Sequence, residues 1–536
     1  MSALHTSALP LKSGVNSRFG RKKILLAGGI LALLVAVVAG ILLAVRWPFR
    51  ESAIIQNLEE AGSGKVEIRN FRQTYFLHPG CIAEGVTYRL APNATPFATL
   101  DKLTIQSNYL GLFGSHISKI RADGMHIYVP PKGSKQKFNG LNSGSTNIDE
   151  IDIYNAVLEV PRQEPGKPSV QFGIQELTLD PASATRPIHF SARLSNPEPP
   201  GEIIATGEFG PWRDMQTPVT GNYTFENADL GAFDGISGIL SSEGKFSGVL
   251  QHIDVAGKIN IPAFEVTKSN HKIGLNSEFT AYVNGANGDT FLDQVSSQFL
   301  KTRVVSKGKV AGAMGQKGKT ATIDLEAQNG RIEDILRLFT TEAQPPMAGE
   351  VNFKGKAVLP PGTAGFLKEI ELAGDFGISD SSFTRASTQE KVDQLSQSAQ
   401  KEQTENAKSK DKKKESDSEL APAVLSDLRG HVVLKGGTAT LSNLSFYIPG
   451  AHAQMHGTYN LISEKIDLHG TLKMDSDLSD TAHGAKAVIL KVLDPFFKKK
   501  RGHGSDVPVK VSGDYHHPSF GMDVGKAGKR LLSGSK

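Results

Sequence analysis

Lys65-Val66-Glu67-Ile68-Arg69 sets two apolar side chains between three charged ones. Side chains along a strand point alternately to its two faces. This spacing therefore predicts a strand that buries Val66 and Ile68 and leaves Lys65, Glu67 and Arg69 in water. The period of two returns at 151–153, 177–179, 203–209, 323–325, 351–353, 432–434 and 466–468. Strands of this one-sided kind belong to antiparallel sheets with one wet face.

A looser recurrence runs through the same region. A glycine stands two residues before an apolar or aromatic residue at Gly207-Glu-Phe209, Gly221-Asn-Tyr223, Gly244-Lys-Phe246 and Gly349-Glu-Val351, and again at Gly374-Asp-Phe376, Gly457-Thr-Tyr459 and Gly513-Asp-Tyr515. The intervals are too irregular for a strict solenoid. The pattern predicts a turn or bulge at the start of strands that bend, within a meander whose strands add one after another.

The bulk numbers agree with a β-rich chain. There are 536 residues with 55 glycines and 27 prolines, and only 7% of the chain is aromatic. That profile suits many short strands joined by turns. The single cysteine, Cys81, excludes an internal disulfide, so the fold rests on sheet packing. The net charge of +5 is not spread evenly: residues 1–50 hold seven cations and no acid, and seven taken from +5 leaves −2 for the rest. A phosphate-binding body needs clustered positive charge, so nucleic acid is excluded as a partner.

That basic end surrounds an apolar run. From Ile24 to Val45 stand 22 uncharged residues, among them Leu25, Leu34, Val38 and Leu43. As a helix they span about 33 Å, enough for a hydrocarbon core of roughly 30 Å. Five of the seven cations precede the run. The positive-inside rule then leaves residues 1–23 in the cytoplasm and exports the body. A cleavable signal peptide has a shorter apolar region and a small-residue cleavage site, whereas this run ends in Arg46-Trp47-Pro48. Residues 24–45 are therefore expected to be an uncleaved single-pass anchor, with Ile24, Leu25, Leu34, Val38, Leu43 and Val45 as membrane-anchor residues.

Helical spacing appears in a few short places. Ile54, Ile55, Leu58 and Ala61 predict a linking helix over 51–61, and Ile332, Ile335, Leu336 and Phe339 predict another over 331–339. Residues 387–423 are polar and rich in lysine and glutamate, which predicts a short helix followed by a disordered loop. Residues 484–497 carry Val488, Leu490, Leu493, Phe496 and Phe497 in an amphipathic helix, followed by Lys498 and Lys499. Such a helix either lies on an anionic membrane surface or caps the open edge of a sheet.

No nucleophile elbow, P-loop, HExxH or CxxC pattern is present, and no cofactor or metal is expected. His452 and His456 share a strand face but lie about 13 Å apart by strand rise. Adjacent His516 and His517 point to opposite faces. Asp475, Asp477 and Asp480 lack the glycine and terminal glutamate of a calcium loop. Cys81 reads as a buried, inert thiol.

Read together, the motifs resemble the AsmA-like family of bacterial envelope proteins, which includes the TamB type. The resemblance rests on the anchor followed by Gly64-Lys-Val-Glu-Ile68 and Pro79-Gly-Cys-Ile-Ala-Glu-Gly-Val86, and on the stretch from Leu325 to Phe339. It rests also on Leu428-Arg-Gly430, Gly437-Thr-Ala-Thr-Leu441, Ile448-Pro-Gly-Ala451, Gly457-Thr-Tyr-Asn-Leu461 and Val507-Pro-Val-Lys-Val-Ser-Gly513. It implies an inner-membrane anchor bearing a periplasmic sheet curled into an apolar groove, in a body at 46–386 and a C-terminal region at 424–536. It also implies phospholipid transfer or envelope maintenance, with the inner membrane, phospholipid and an envelope protein as partners.

The expected fold is thus mainly β: a transmembrane helix, then an elongated, curved antiparallel sheet with a few short helices. Alternation alone fits equally a groove open to lipid and a β-sandwich packed on itself. Three functions follow in order: a lipid-handling groove, a non-enzymatic envelope scaffold with a packed core, and a cell-wall hydrolase. The last needs convergent carboxylates that the sequence does not offer.

Overall fold

The computed structural model describes residues 49–523 except 63, 76–77, 92–94, 109–115, 129–146, 161–168, 182–185, 212, 214, 286, 313–318, 362–363, 385–425, 449–450, 475–505 and 515–517. The expected anchor at 24–45, the polar segment at 387–423 and the amphipathic helix at 484–497, with Lys498 and Lys499, lie outside the described residues. So do His516, His517 and the three aspartates at 475–480. Among the described residues no helix is long and apolar enough to cross a membrane.

Helix α1 (Glu51–Gly62) leads into β1 (Lys65–Thr74), β2 (Gly80–Arg89), β3 (Ala98–Gln106) and β4 (His116–Tyr128). Then follow β5 (Asn147–Val160), β6 (Val170–Asp180), β7 (Ile188–Pro197), β8 (Pro200–Phe209) and β9 (Pro218–Asp229). A single 3-10 turn, η1 (Leu230–Ala232), precedes β10 (Ile236–Ser237), β11 (Ile239–Val249), β12 (His252–Val266), β13 (Ile273–Asn284), β14 (Asp289–Phe299) and β15 (Thr302–Gly312). Next come β16 (Lys319–Arg331), α2 (Ile332–Arg337), β17 (Met347–Leu359), α3 (Phe366–Glu369) and β18 (Glu371–Phe383). The sheet ends with β19 (Ser426–Lys435), β20 (Thr438–Ile448), β21 (Ala451–Asn460), β22 (Lys465–Met474), β23 (Asp506–Asp514) and β24 (Pro518–Met522).

These 24 strands form one sheet. The expectation of a mainly β chain with one large curved sheet and few short helices holds, and each alternating segment named above falls inside a strand. The linking helix and the amphipathic helix after Arg331 are α1 and α2. Two expectations need correction. The sheet is not antiparallel throughout, because β4 and β5 run parallel. A parallel pair needs a crossover of about a dozen residues or more, and residues 129–146 supply that length. Of the recurrent glycines, Gly349 sits as expected at a register shift near the start of β17, but the others do not open strands. They sit inside them, often facing one another: Gly207 pairs with Gly221, Gly244 with Gly257 and Gly355 with Gly374.

At each of these glycines a Cβ would stand within 2.7 Å of a carbonyl oxygen of the facing strand, and an aromatic ring lies over each pair. A Cβ on Gly221 would meet Phe246 Cζ at 2.6 Å, and one on Gly244 would meet Tyr223 Cε1 at 2.8 Å. In the antiparallel register Tyr223 stands opposite Gly244 and Phe246 opposite Gly221. Two Gly-x-aromatic segments on neighbouring strands thus cover each other's glycines reciprocally. Phe353 Cζ in the same way lies 2.7 Å from a Cβ position on both Gly355 and Gly374. Bare backbone lets the strands bend, and the ring restores the packing that a missing side chain forfeits.

Two apolar cores result. One gathers β2 to β7 around Phe49, Ile54 and Leu58, the buried face at the start of α1. The other runs from Ala228 to Leu468 and takes in residues of η1, α2 and α3. Loops far apart along the sheet close this second core. Lys268 Nζ, after β12, donates to Leu461 O at 2.6 Å and also to Ile462 O, after β21. The same ammonium lies 3.5 Å from Glu464. Nine strand-to-strand steps of roughly 20–25° each rotate a sheet by about half a turn, which is how opposite ends of distant strands come together.

Candidate functional site: a continuous apolar strip

Following the register strand by strand exposes a feature that no single segment reveals. From Cys81 on β2 the facing residue is Ile105, then Ile120, Ile151, Leu179 and Phe190. The row continues through Gly207, Gly221, Phe246, Val255 and Ala281. It goes on through Leu292, Gly308, Ile323, Ala357, Leu372 and Leu434 to Ala439, Tyr459, Ile466, Gly513 and Pro518. Every member is apolar, aromatic or glycine. With strands about 4.8 Å apart, the contour of this row is roughly 100 Å.

A second row lies two residues along each strand, on the same face. It starts at Phe71, passes Ala83, Leu103 and Leu177, and crosses Tyr223 and Phe279 before ending at Val511 and Phe520. Ser306, opposite Val295 and Leu325, is the aliphatic hydroxyl in it. A third row passes Leu194, Ile203, Phe225, Ser242, Ile259, Ser277, Ser297 and Val304. Three such rows make a strip about 14 Å wide at two residues per step.

Cover over this strip is uneven. In the first core Ala83, Ile105, Ile120, Ile151 and Ile153 are wholly buried. Between residues 193 and 227 no described alanine, valine, leucine, isoleucine, phenylalanine or tyrosine is buried; Leu194, Ile203, Ala205, Phe209, Tyr223 and Phe225 are all half-exposed. From Ala228 onward burial resumes. At the floor of the open stretch Phe190 and Phe246 stack at 6.4 Å between ring centroids, 25° from parallel. Their backbones stand three strand steps apart, about 14 Å. They meet because only Gly207 and Gly221 lie between them.

The opposite face is charged and solvated. Lys258 pairs with Glu278 at 3.4 Å, Lys435 with Glu371 at 2.8 Å and His431 with Asp375 at 2.8 Å, each across neighbouring strands. A polar hollow of about 650 Å³ on this face is lined by Glu226, Glu243, Lys258, Glu278 and Arg303 among others.

A few ionisable groups are buried, and the carboxylates among those named here have structural partners. Burial pushes the Cys81 thiol up to about 12, so it stays protonated and inert. Asp152 is pushed up by burial, but Lys119 Nζ at 2.6 Å and the Thr178 hydroxyl at 3.1 Å outweigh that and hold it below its usual value. Asp334 is raised by burial although it accepts from Lys301 N at 2.9 Å and Thr302 Oγ1 at 2.8 Å. His452 stacks on Tyr447, and His456 faces His469 across the strand pair. Among the described residues no three metal-ligating side chains stand together.

The residues that the sequence singled out for membrane contact all lie outside the described residues, so the strip is assembled from positions that sequence reading took only as strand faces. The legible signal was the Gly-x-aromatic recurrence, which marks where two such segments pair. Comparison with family models, with curated proteins and with solved structures finds no match.

Proposed function

We propose that this protein is a membrane-anchored carrier that lays the acyl chains of phospholipid along the apolar strip. The observation that carries the reading is the uninterrupted row from Cys81 to Pro518, together with the half-exposed stretch over β7 to β11 that leaves part of it reachable from solvent. Acyl chains need a path without polar breaks, and a bent one-sided sheet supplies it while its outer face stays in water. Residues 24–45 serve as the anchor, with the N-terminus cytoplasmic and the body in the periplasm of a bacterial envelope. The chain is then an AsmA-like protein of outer-envelope biogenesis whose partners are the inner membrane, phospholipid and an envelope protein. No chemistry is assigned to it.

The test is photo-crosslinking in cells with the full chain. A benzophenone side chain replacing Phe225, on the strip, is expected to capture phospholipid, and one replacing Glu243, on the outer face, is not. Equal labelling at both positions, or none at Phe225, removes the carrier reading.

A second reading has its own support. The two buried apolar cores are what a packed envelope scaffold needs. Under that reading the half-exposed stretch captures protein rather than lipid, and the same crosslink at Phe225 yields a protein adduct.

A further inference from the structure

We infer that the strip contains a built-in binding point for an acyl carbonyl, formed by hydroxyls on β9 to β15; this rests on the carrier reading above. Ser242, Ser277, Ser297 and Ser306 break the apolar rows in one neighbourhood. Ser242 shares a hydrogen bond with the Tyr223 hydroxyl at 3.2 Å, and Ser277 shares one with Ser297 at 2.8 Å. Ser306 is different: it is 2% exposed, and its Oγ has no hydrogen-bond partner.

An unpaired buried hydroxyl is costly, and an alanine of nearly the same size would avoid the cost. Position gives the hydroxyl a use. Tyr223 and Ser242 are half-exposed at the edge of the open stretch, whereas Ser277, Ser297 and Ser306 lie under the second core. The hydroxyls therefore form a track about 24 Å long that leads from the reachable part of the strip into the covered part. A hydrocarbon tail gains nothing from such a track. A glycerolipid or fatty acid carries a carbonyl at the head of each tail, and that oxygen accepts a hydrogen bond from Ser306 once the tail displaces the side chains above it. The second core then takes the tail, and the hydroxyls fix where its head stops.

The experiment compares a short-chain phosphatidylcholine, held below its micelle concentration, with its diether analogue, which has the same tails and no carbonyl. Both are titrated against the full-length protein in amphipol, with a fatty acid of the same length as competitor. The wild type is expected to prefer the diester by about tenfold, and Ser306→Ala is expected to bring the two within about twofold of each other. Ser306→Thr keeps the hydroxyl and retains the preference. The fatty acid displaces the diester if a free carboxyl is accepted at the same point; if it does not, the ester is the source. Ser306→Ala should unfold at the same temperature or higher, which separates lost binding from lost fold. An unchanged preference in Ser306→Ala, or none in the wild type, overturns the carbonyl site while leaving the carrier reading intact. Failure of both lipids to bind overturns the two together.

Discussion

Strands β2 to β6 and strands β7 to β11 share the same alternation of apolar and polar residues and belong to the same sheet, yet they bury their apolar faces differently. In the first group Ile105, Ile120 and Ile151 are sealed. In the second Ile203, Tyr223 and Phe225 are half-exposed. Two things separate them. The first group has Phe49, Ile54 and Leu58 in its core, and its parallel β4–β5 pair brings two strands rich in isoleucine side by side. In the second group glycines occupy positions where side chains would otherwise fill the floor, as Gly207 and Gly221 do beneath Phe190 and Phe246. Alternation therefore decides which face is apolar. What stands opposite decides whether that face becomes a core or remains a surface.

The contrast is broken most sharply by placing a charge in each region. Ile151→Asp puts an unpaired carboxylate into a site with no solvent, and is expected to cost more than about 4 kcal/mol and to unfold the first core. Ile203→Asp places the same charge on the open stretch and should cost about 1 kcal/mol or less. It should also abolish lipid capture at Phe225. Urea unfolding followed by circular dichroism checks the first pair of values. Equal destabilisation by the two changes would mean that β7 to β11 are as closed as β2 to β6.

The glycine pair on the open floor comes next. Gly221→Ala drives a methyl onto Thr206 O of the facing strand at 2.3 Å and toward Phe246 Cζ at 2.6 Å. Neither neighbour yields without moving a ring or a strand, so about 2 kcal/mol should be lost. The Phe190–Phe246 stack should separate as well. A crystal structure of the variant, or a shift in the two rings' NMR signals, reads that separation directly.

Acid sensitivity sharpens the comparison from the closed side. The carboxylate of Asp152 is held below its usual value in the folded chain. Its contribution is therefore present above the unfolded pKa and is lost as pH falls through the folded one, below about pH 4. Asp152→Ala leaves Lys119 with Glu150 alone, at 2.8 Å. Because Lys119 is 37% exposed, the loss at neutral pH should be about 2 kcal/mol rather than the full cost of a stranded buried ion. Asp334 in the second core has the opposite sign. Its raised pKa means that its contribution is lost as pH rises past the ordinary carboxylate range, so Asp334→Asn should stabilise slightly at pH 7 and not at pH 3. Denaturant midpoints from pH 3 to pH 7 for the two variants should diverge in these opposite directions.

Much of this arrangement could be read in the chain beforehand, for physical reasons that differ by feature. Strand faces were legible at Val66, Ile151, Leu177, Ile323 and Val432 because period-two alternation is a local property. Helices α1 and α2 were legible through their i, i+3, i+4 spacing. Long-range register was not: that Phe246 faces Gly221, or that Lys268 reaches the turn after β21, depends on the accumulated twist of intervening strands. The hydroxyls were equally hidden. Ser277, Ser297 and Ser306 are ordinary residues in a strand until three neighbours set them on one apolar face.

The smallest expected effect isolates what the paired glycines do. Gly377 lies in β18 opposite Asn352, with nothing within 4 Å of where its Cβ would stand. An alanine there fills empty space and restricts the unfolded chain, so Gly377→Ala should be neutral or stabilising by up to about 0.5 kcal/mol. Gly221 and Gly377 share a strand environment and differ in what covers them. If glycine served only to loosen the sheet, both substitutions would stiffen it and shift the unfolding midpoint in the same direction. Opposite signs are expected instead, because at Gly221 the space of a Cβ is already taken by Thr206 O and Phe246. A loss at Gly377, on the outer face, as large as that at Gly221 would show that backbone freedom, and not the atoms packed over Gly221, fixes glycine in these strands.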